Sequence, residues 1–345
     1  MADTVPRAAA GPTRRTRPLH DRRHAIRYWA SMAVLTVLSL SFVTILLTYG
    51  NPMPFGTDGF WRIVTMRTTD VVVILVVALC QSFATVSFQT ATNNRIITPS
   101  IMGFEALYVA VQTAAVFLFG VAGFVLVTGP AQFLLQAGLM VAFATLLYSW
   151  LLSGRFANLH IMLLVGVVIG GGLGSLSAFL QRLLTPSEFD VLTARLFGNV
   201  SNARSEYLVY AIPIALVAAA VLYWRARRLD VVALGGDVSR ALGVNHLAEQ
   251  RRILLLVSIL MAMTTALVGP MTFFGFLVAT LAYQLADTYG HRLLLPMSFL
   301  IGVTVLSGAY VVLRHVFYAQ GAVTIIIELV GGTVFLVFLL RKGRL

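Results

Sequence analysis

The chain reads as an all-α polytopic membrane protein with about ten transmembrane helices, and three observations predict it. Hydrophobic residues make up 59% of its 345 residues and charged residues only 11%, with a mean hydropathy of +0.88. A soluble domain of this composition would lack the polar residues to cover its surface. The apolar residues also fall into runs of about 18–24, enough to cross a hydrocarbon layer about 30 Å thick. Finally, sixteen of the 25 Arg and Lys crowd the N-terminal tail, residues 225–252 and the C-terminal end, leaving the apolar runs almost uncharged.

Taken in order, residues 1–27 are rich in Arg, Pro and Ala and are expected to form a disordered basic cytoplasmic tail. Residues 28–345 are expected to form a single transmembrane domain. Its spans are drawn at 28–50, 70–90, 100–122, 130–152, 159–181, 205–225, 251–271, 274–288, 293–314 and 321–340. The first apolar run is too long for a signal h-region and no small-x-small cleavage site follows it, so an uncleaved span is expected. The eighth is short for a full crossing and is expected to start below the membrane surface. Residues 51–69 read as a loop closing onto the second span. Residues 186–200 carry Phe189, Leu192, Leu196 and Phe197 at roughly helical spacing after Pro186, which predicts a short interfacial helix on the outer side.

Placing both termini in the cytoplasm leaves six cations outside: Arg62, Arg67, Arg182, Arg195, Arg204 and Arg314. The remaining nineteen of the 25 fall inside, as the positive-inside rule requires. The same distribution accounts for the net charge of +12 and argues against a nucleic-acid partner, since no basic stripe interleaved with aromatics lies outside the spans. Cys80 is the single cysteine, so the chain has no disulfide framework or Cys-based metal site of its own. Gly170-Gly171-Gly172 and Gly174 fall in mid-span, where small residues let helices approach. No GxxxxGK[ST] phosphate loop occurs, so ATP, if used, is bound by another polypeptide.

Two inside segments stand out. Residues 225–252 form a basic, amphipathic island too small to fold alone but long enough for two short helices, with a turn at Gly235-Gly236 and a stop at Gly243. Such an elbow, residues 226–250 between two spans, suits the gripping of a soluble partner. The loop from Thr92 to Tyr108 breaks the apolar pattern with Asn93, Asn94, Pro99 and Gly103. Its apolar Ile96 and Ile97 leave two readings open, a generic inside turn and a segment folded back as a pore constriction.

These segments carry a resemblance. The loop, with Asn94, Ile96, Pro99 and Gly103, resembles the N-P-L-x-x-P-x-x-x-G loop of the iron-chelate and vitamin B12 permeases, the type II ABC importers. LGGDVSRALGV (Leu234–Val244) resembles that family's A-L-G-[DE]-x-x-A-x-x-L-G-V signature. Gly269–Leu285 with His291–Pro296 resembles its G-P-I-x-F-x-G-L and D-H-R-x-L-L-P block, and Ile325–Lys342 its closing G-x-P-x-F helix. The family's R-N-P becomes Asn93-Asn94-Arg95, and its P-H-x-x-R becomes Ala279-Thr280-Leu281-Ala282-Tyr283. These variants look like the branch that imports ferric catecholate-type siderophores.

The resemblance implies a type II ABC importer permease fold and a transport subunit rather than an enzyme. It implies no cofactor on this chain, with ATP and Mg held by two separate cytosolic ATPase subunits. It implies a second permease, a paralogue or a second copy, an extracytoplasmic siderophore-binding protein, and ferric siderophore as cargo across the bacterial cytoplasmic membrane. The cytoplasmic gate falls on Asn94 and Ile96 in one element and on Asn158, Leu159 and His160 in the other. His160 reads equally as an interfacial residue at a helix start. ATPase coupling falls on Leu234, Gly235, Asp237, Arg240, Ala241, Leu242 and Gly243, with Ala233 and Val238 adding to an apolar knob. Binding-protein docking falls on Arg67 and Arg314. The family's second arginine near Arg67 is Asp70 here, with Arg62 as its substitute.

Two alternatives stay open. The same machinery could carry cobalamin or haem, or the chain could be a proton-coupled secondary transporter working through Glu105, Glu328 or Asp287. Acids are costly in lipid. Glu105 is expected to pair with Arg95, Glu328 to face protein, and Asp287 to sit near His291 and Arg292.

Overall fold

The computed structural model describes residues 19, 21–126, 129–151, 159–196, 200, 203–317 and 322–342. Among these residues all regular structure is helical. Helix α1 (Arg22–Thr48) begins earlier than residue 28, inside the expected tail. Its first turns have partners that hold them in register: His24 Nε2 lies 3.3 Å from the Ala286 carbonyl, and the Tyr28 hydroxyl donates to the Leu293 carbonyl at 3.0 Å.

Helix α2 (Asp58–Ala91) has 34 residues, about 51 Å at 1.5 Å per residue, and so outruns the bilayer. The expected loop 51–69 is therefore helical from Asp58 onward. Thr57 caps it by accepting from the Phe60 N–H at 3.3 Å, and Phe60 packs edge-on against Phe55 and Trp61. A 3-10 turn (Ser100–Met102) then leads into α3 (Phe104–Leu126). α3 breaks at Gly120, whose φ of 62° and ψ of 178° only glycine adopts readily.

Helices α4 (Pro130–Leu151), α5 (Leu159–Gln181), α6 (Pro186–Leu196) and α7 (Ser205–Trp224) follow. α6 is helical over Pro186–Leu196, within the segment 186–200 where a short helix was expected. Thr185 and Glu188 form a capping box at its start, with the Thr185 N–H and hydroxyl donating to Glu188 Oε2 at 2.9 and 2.8 Å. Those two bonds hold the Glu188 carboxyl below the usual carboxylate range. Leu192 is buried against Val116, and Phe197 lies outside the described residues.

The elbow holds α8 (Ala226–Val232) and α9 (Gly236–Ala241), and the chain returns through α10 (His246–Val268), α11 (Phe274–Ala286), α12 (His291–His315) and α13 (Val323–Lys342). Seven helices are long and apolar enough to cross a membrane, and α3, α11 and α13 supply shorter apolar stretches. These ten correspond to the ten spans drawn from the sequence. α2 and α10 form the buried centre: α10 packs on α2, α4 and α7, and α12 on α1, α2 and α11. α1 and α5 lie outermost, mostly exposed.

The eighth span is a half-helix of 13 residues, and its approach is pinned from an unexpected direction. Glu105 does not pair with Arg95. Its Oε1 accepts from the Met271 N–H at 3.0 Å and its Oε2 from the Thr272 hydroxyl at 2.6 Å. A non-helical stretch buried among spans leaves backbone N–H groups wanting acceptors, and a carboxylate is a strong one.

Candidate coupling and gating site

The elbow is a rigid frame with apolar side chains on its outside. Gly235, at φ 89°, lets the chain reverse between α8 and α9. α9 closes in a Schellman motif, with the Gly243 N–H on the Arg240 carbonyl and the Val244 N–H on the Ser239 carbonyl, both at 2.9 Å. Gly243 takes φ 78° for this. Ser239 is buried, donates to the Gly235 or Val231 carbonyl at 2.6 and 2.9 Å, and meets His246 Nδ1 at 3.2 Å. Glu249 clamps the two ends: it is 2% exposed and takes Arg225 Nε at 2.8 Å, Arg228 at 3.5 Å and Arg252 at 3.4 Å.

Leu234, Val238 and Leu242 project from this frame, each about half exposed. Ala241 is exposed beside them and Ala233 is half-buried. Asp237 and Arg240 pair with each other at 3.3 Å on the solvent side. Three large apolar side chains on a small charged elbow form a patch that invites a partner.

The loop expected to act as a gate continues from α2's last turn. Asn93 takes φ 47°, the left-handed region in which Asn is least strained, and ends the helix. Asn94 Oδ1 accepts from the Ile96 N–H at 2.9 Å, an Asx turn that fixes the next two residues. Ile96 and Ile97 are half-buried. Gly103, at φ 95°, brings the loop's end onto α5: a Cβ on Gly170 would come within 3.1 Å of the Gly103 Cα. The mid-span glycines divide accordingly. Gly170 meets this loop, whereas Gly171, Gly172 and Gly174 have nothing within 4 Å of a Cβ. The second gate element cannot be placed to the same depth. Asn158 lies outside the described residues, as do the side chains of Leu159 and His160, whose backbones open α5.

Arg95 takes a place that local sequence could not reveal. Its guanidinium lies 4.5 Å from the ring centre of Tyr283 and 4.8 Å from that of Tyr289, nearly two hundred residues away in sequence. The rings, the loop and the elbow line an open cleft of about 590 Å³ that includes Gln89, Arg95, Asp230, Leu234 and His291.

Near the start of α2, Arg67 has partners within the chain. It is buried in α2, and its guanidinium donates to the carbonyls of Leu47, Tyr49 and Gly50 at 3.2, 2.9 and 3.1 Å. Those carbonyls end α1, where no helical donor remains to satisfy them. Arg67 caps the neighbouring helix through its two Nη groups. Arg314 is half-buried and Arg62 exposed.

The two remaining acids also differ from expectation. Glu328 is exposed on α13 in the single chain. Asp287 is exposed at φ 45° as the C-cap of α11, and the acid beside His291 is instead Asp230 of α8. Among the described residues no group of three or more His, Cys, Asp and Glu could hold a metal ion.

A family model described as the FecCD transport family matches residues 31–341. The chain is 46% identical to the petrobactin import system permease protein FatC of Bacillus anthracis, covering 94% of this chain and 92% of that one. It is 35% identical to the petrobactin permease YclO of Bacillus subtilis, covering 81% and 88%. The fold matches that of an inward-facing ABC transporter assigned to the metal-chelate type, with a TM-score of 0.77 at 21% identity over 91% of this chain and 99% of the other. With nearly the whole sequence inside the matched model and ten apolar helices in the expected order, the chain belongs to the FecCD transport family, as a multi-pass membrane permease subunit.

Proposed function

We propose that this permease carries a ferric siderophore of the petrobactin type across the bacterial cytoplasmic membrane in an ATP-driven importer. The observation that carries the cargo is the 46% identity to FatC over nearly the full length of both chains. The exposed Leu234, Val238 and Leu242 support ATP drive by a separate subunit, because that ridge has no partner within the chain. Elbow residues Leu234, Gly235, Asp237, Arg240, Ala241, Leu242 and Gly243 form the coupling element, while residues 94 and 96 with 158–160 form the inward gate.

A second permease belongs to the assembly. Glu328 would be costly to leave against lipid, and a second permease would cover it; the small-residue run Gly170–Gly174 on α5 suits close packing of another helix. A paralogue is favoured, since FatC and FatD, both petrobactin import system permeases of Bacillus anthracis, resemble this chain at 46% and 24% identity. Both termini face the cytoplasm on the distribution of cations. A binding protein docks outside through Arg314 and Arg62, the cations that remain accessible there once Arg67 is taken up by α1.

The cargo is tested by uptake of radioiron-loaded petrobactin in cells lacking their own import system and given this chain with its partner subunits. Accumulation blocked by excess ferric petrobactin but not by cobalamin or haem is expected. Accumulation of labelled cobalamin, with none of petrobactin, would assign the permease to other cargo.

A further inference from the structure

The last turn of α2 is held from two sides, and the two sides are the elbow and the gate loop. Thr90 Oγ1 lies 2.6 Å from Nε2 of His291. His291 is fixed in turn by Asp230, whose Oδ1 accepts from its backbone N–H at 2.9 Å and its Nδ1 at 2.6 Å. Asp230 belongs to α8, the elbow's first helix, and His291 opens α12. Next along α2, the Ala91 carbonyl accepts from Gln250 Nε2 at 2.9 Å, and Gln250 stands in α10 at the elbow's far end. On the other side Gln89 Nε2 donates to the Arg95 carbonyl at 2.7 Å, and the Gln89 carbonyl accepts from the Asn94 N–H at 3.0 Å.

Gln89, Thr90, Gln250 and His291 are all buried. Apolar packing would hold these helices together yet let them slide. Directional hydrogen bonds away from water fix one register and resist its loss. Both ends of the elbow are thus fastened to three consecutive residues, and the same three carry the loop of Asn94 and Ile96. A contiguous hydrogen-bonded path of this kind can transmit a displacement between two sites.

We infer that residues 89–91 are the junction through which movement of the elbow reaches the gate loop, with Thr90, His291 and Asp230 as positioning residues for the transport cycle. This rests on the assignment of elbow and gate given above and adds the link between them. Asp230, drawn with α8, carries His291 and Thr90, and Gln250 moves Ala91 in step. The end of α2 then turns as a unit and takes Asn94 with it.

The test uses the complete importer in lipid nanodiscs, with Ile96→Cys as a reporter of gate accessibility. The native Cys80 is fully buried and stays silent to a maleimide. In the otherwise unaltered protein, trapping with ATP and vanadate should change the labelling rate at least about fivefold, within the usual range of coupling between sites. Thr90→Val keeps the side chain's shape but deletes its hydroxyl. It should reduce that response below about twofold, the lower edge of measurable coupling, while the ATPase still co-purifies and hydrolyses ATP. Thr90→Ser should restore the response, which a merely packed residue would not do. Asp230→Asn and Gln250→Leu interrupt the two arms separately and carry the same expectation, so they decide the matter if Thr90→Val fails to assemble.

An undiminished response in these variants overturns the junction while leaving elbow and gate intact. No response even with native residues 89–91 sinks the gate assignment and the junction with it. An ATPase that remains bound to a Leu242→Asp chain sinks the elbow assignment separately.

Discussion

Two regions matched family motifs in the sequence, and the structure treats them oppositely. At the inner elbow the apolar residues Leu234, Val238 and Leu242 stand outside a frame whose polar groups are satisfied internally by Glu249, Ser239 and the α9 cap. Near the start of α2 Arg67 is itself turned inward, its two Nη groups donating to the carbonyls at the end of α1. A motif locates a backbone position. Only burial and hydrogen bonding decide whether the side chain there is free to meet a partner.

That contrast can be broken most forcefully at Glu249. Glu249→Ala removes the carboxylate that gathers Arg225, Arg228 and Arg252; because those arginines keep contact with solvent, the loss should be about 2–3 kcal/mol, the scale of charged hydrogen bonds. The expected result is a chain that melts early and retains no ATPase. An unchanged melting temperature would mean that the clamp does not hold the elbow. Leu242→Asp should act without unfolding. It should weaken ATPase association by at least about 2 kcal/mol, or roughly thirtyfold, as loss of an interface anchor does, with the permease's own thermal stability preserved.

Arg67→Met sharpens the comparison from the other side. Deleting its charged hydrogen bonds to the α1 carbonyls should destabilise the permease by about 2–3 kcal/mol. Affinity for the binding protein, measured per folded molecule, should not change. A selective loss of affinity at unchanged stability would return Arg67 to the docking surface. Arg62→Glu and Arg314→Glu should have the smallest effect, slowing association with the binding protein about tenfold or less, with the difference shrinking at high salt as steering charges do. Association rates that ignore both charge and salt would place docking elsewhere.

The sequence carried the ten spans because each is a long apolar run punctuated by polar or glycine breaks. It carried the elbow because Gly235 and Gly243 mark where α9 starts and ends. It did not carry the first turns of α2: Pro52, Pro54, Gly56 and Gly59 read as loop, while the Thr57 cap and the aromatic packing around Phe60 stabilise helix from Asp58 on. The break at Gly120 was equally hidden among ordinary span glycines. The polar contacts were least legible. Glu105 reaches residues 271 and 272, Arg95 reaches Tyr283 and Tyr289, and His291 chooses Asp230 over the nearby Asp287. Each joins positions far apart in the chain, and no local pattern reports such pairing.

The account's central claim is that work done by an ATPase enters through the elbow and opens a path for chelate. Proteoliposomes holding the permease pair with the ATPase and binding protein, loaded inside with ATP, test it against vesicles holding the permeases alone under a proton gradient. The account predicts accumulation of radioiron-loaded petrobactin in the first, its loss when the chain carries Leu242→Asp, and none in the second. Accumulation driven by the proton gradient without any ATPase would contradict it.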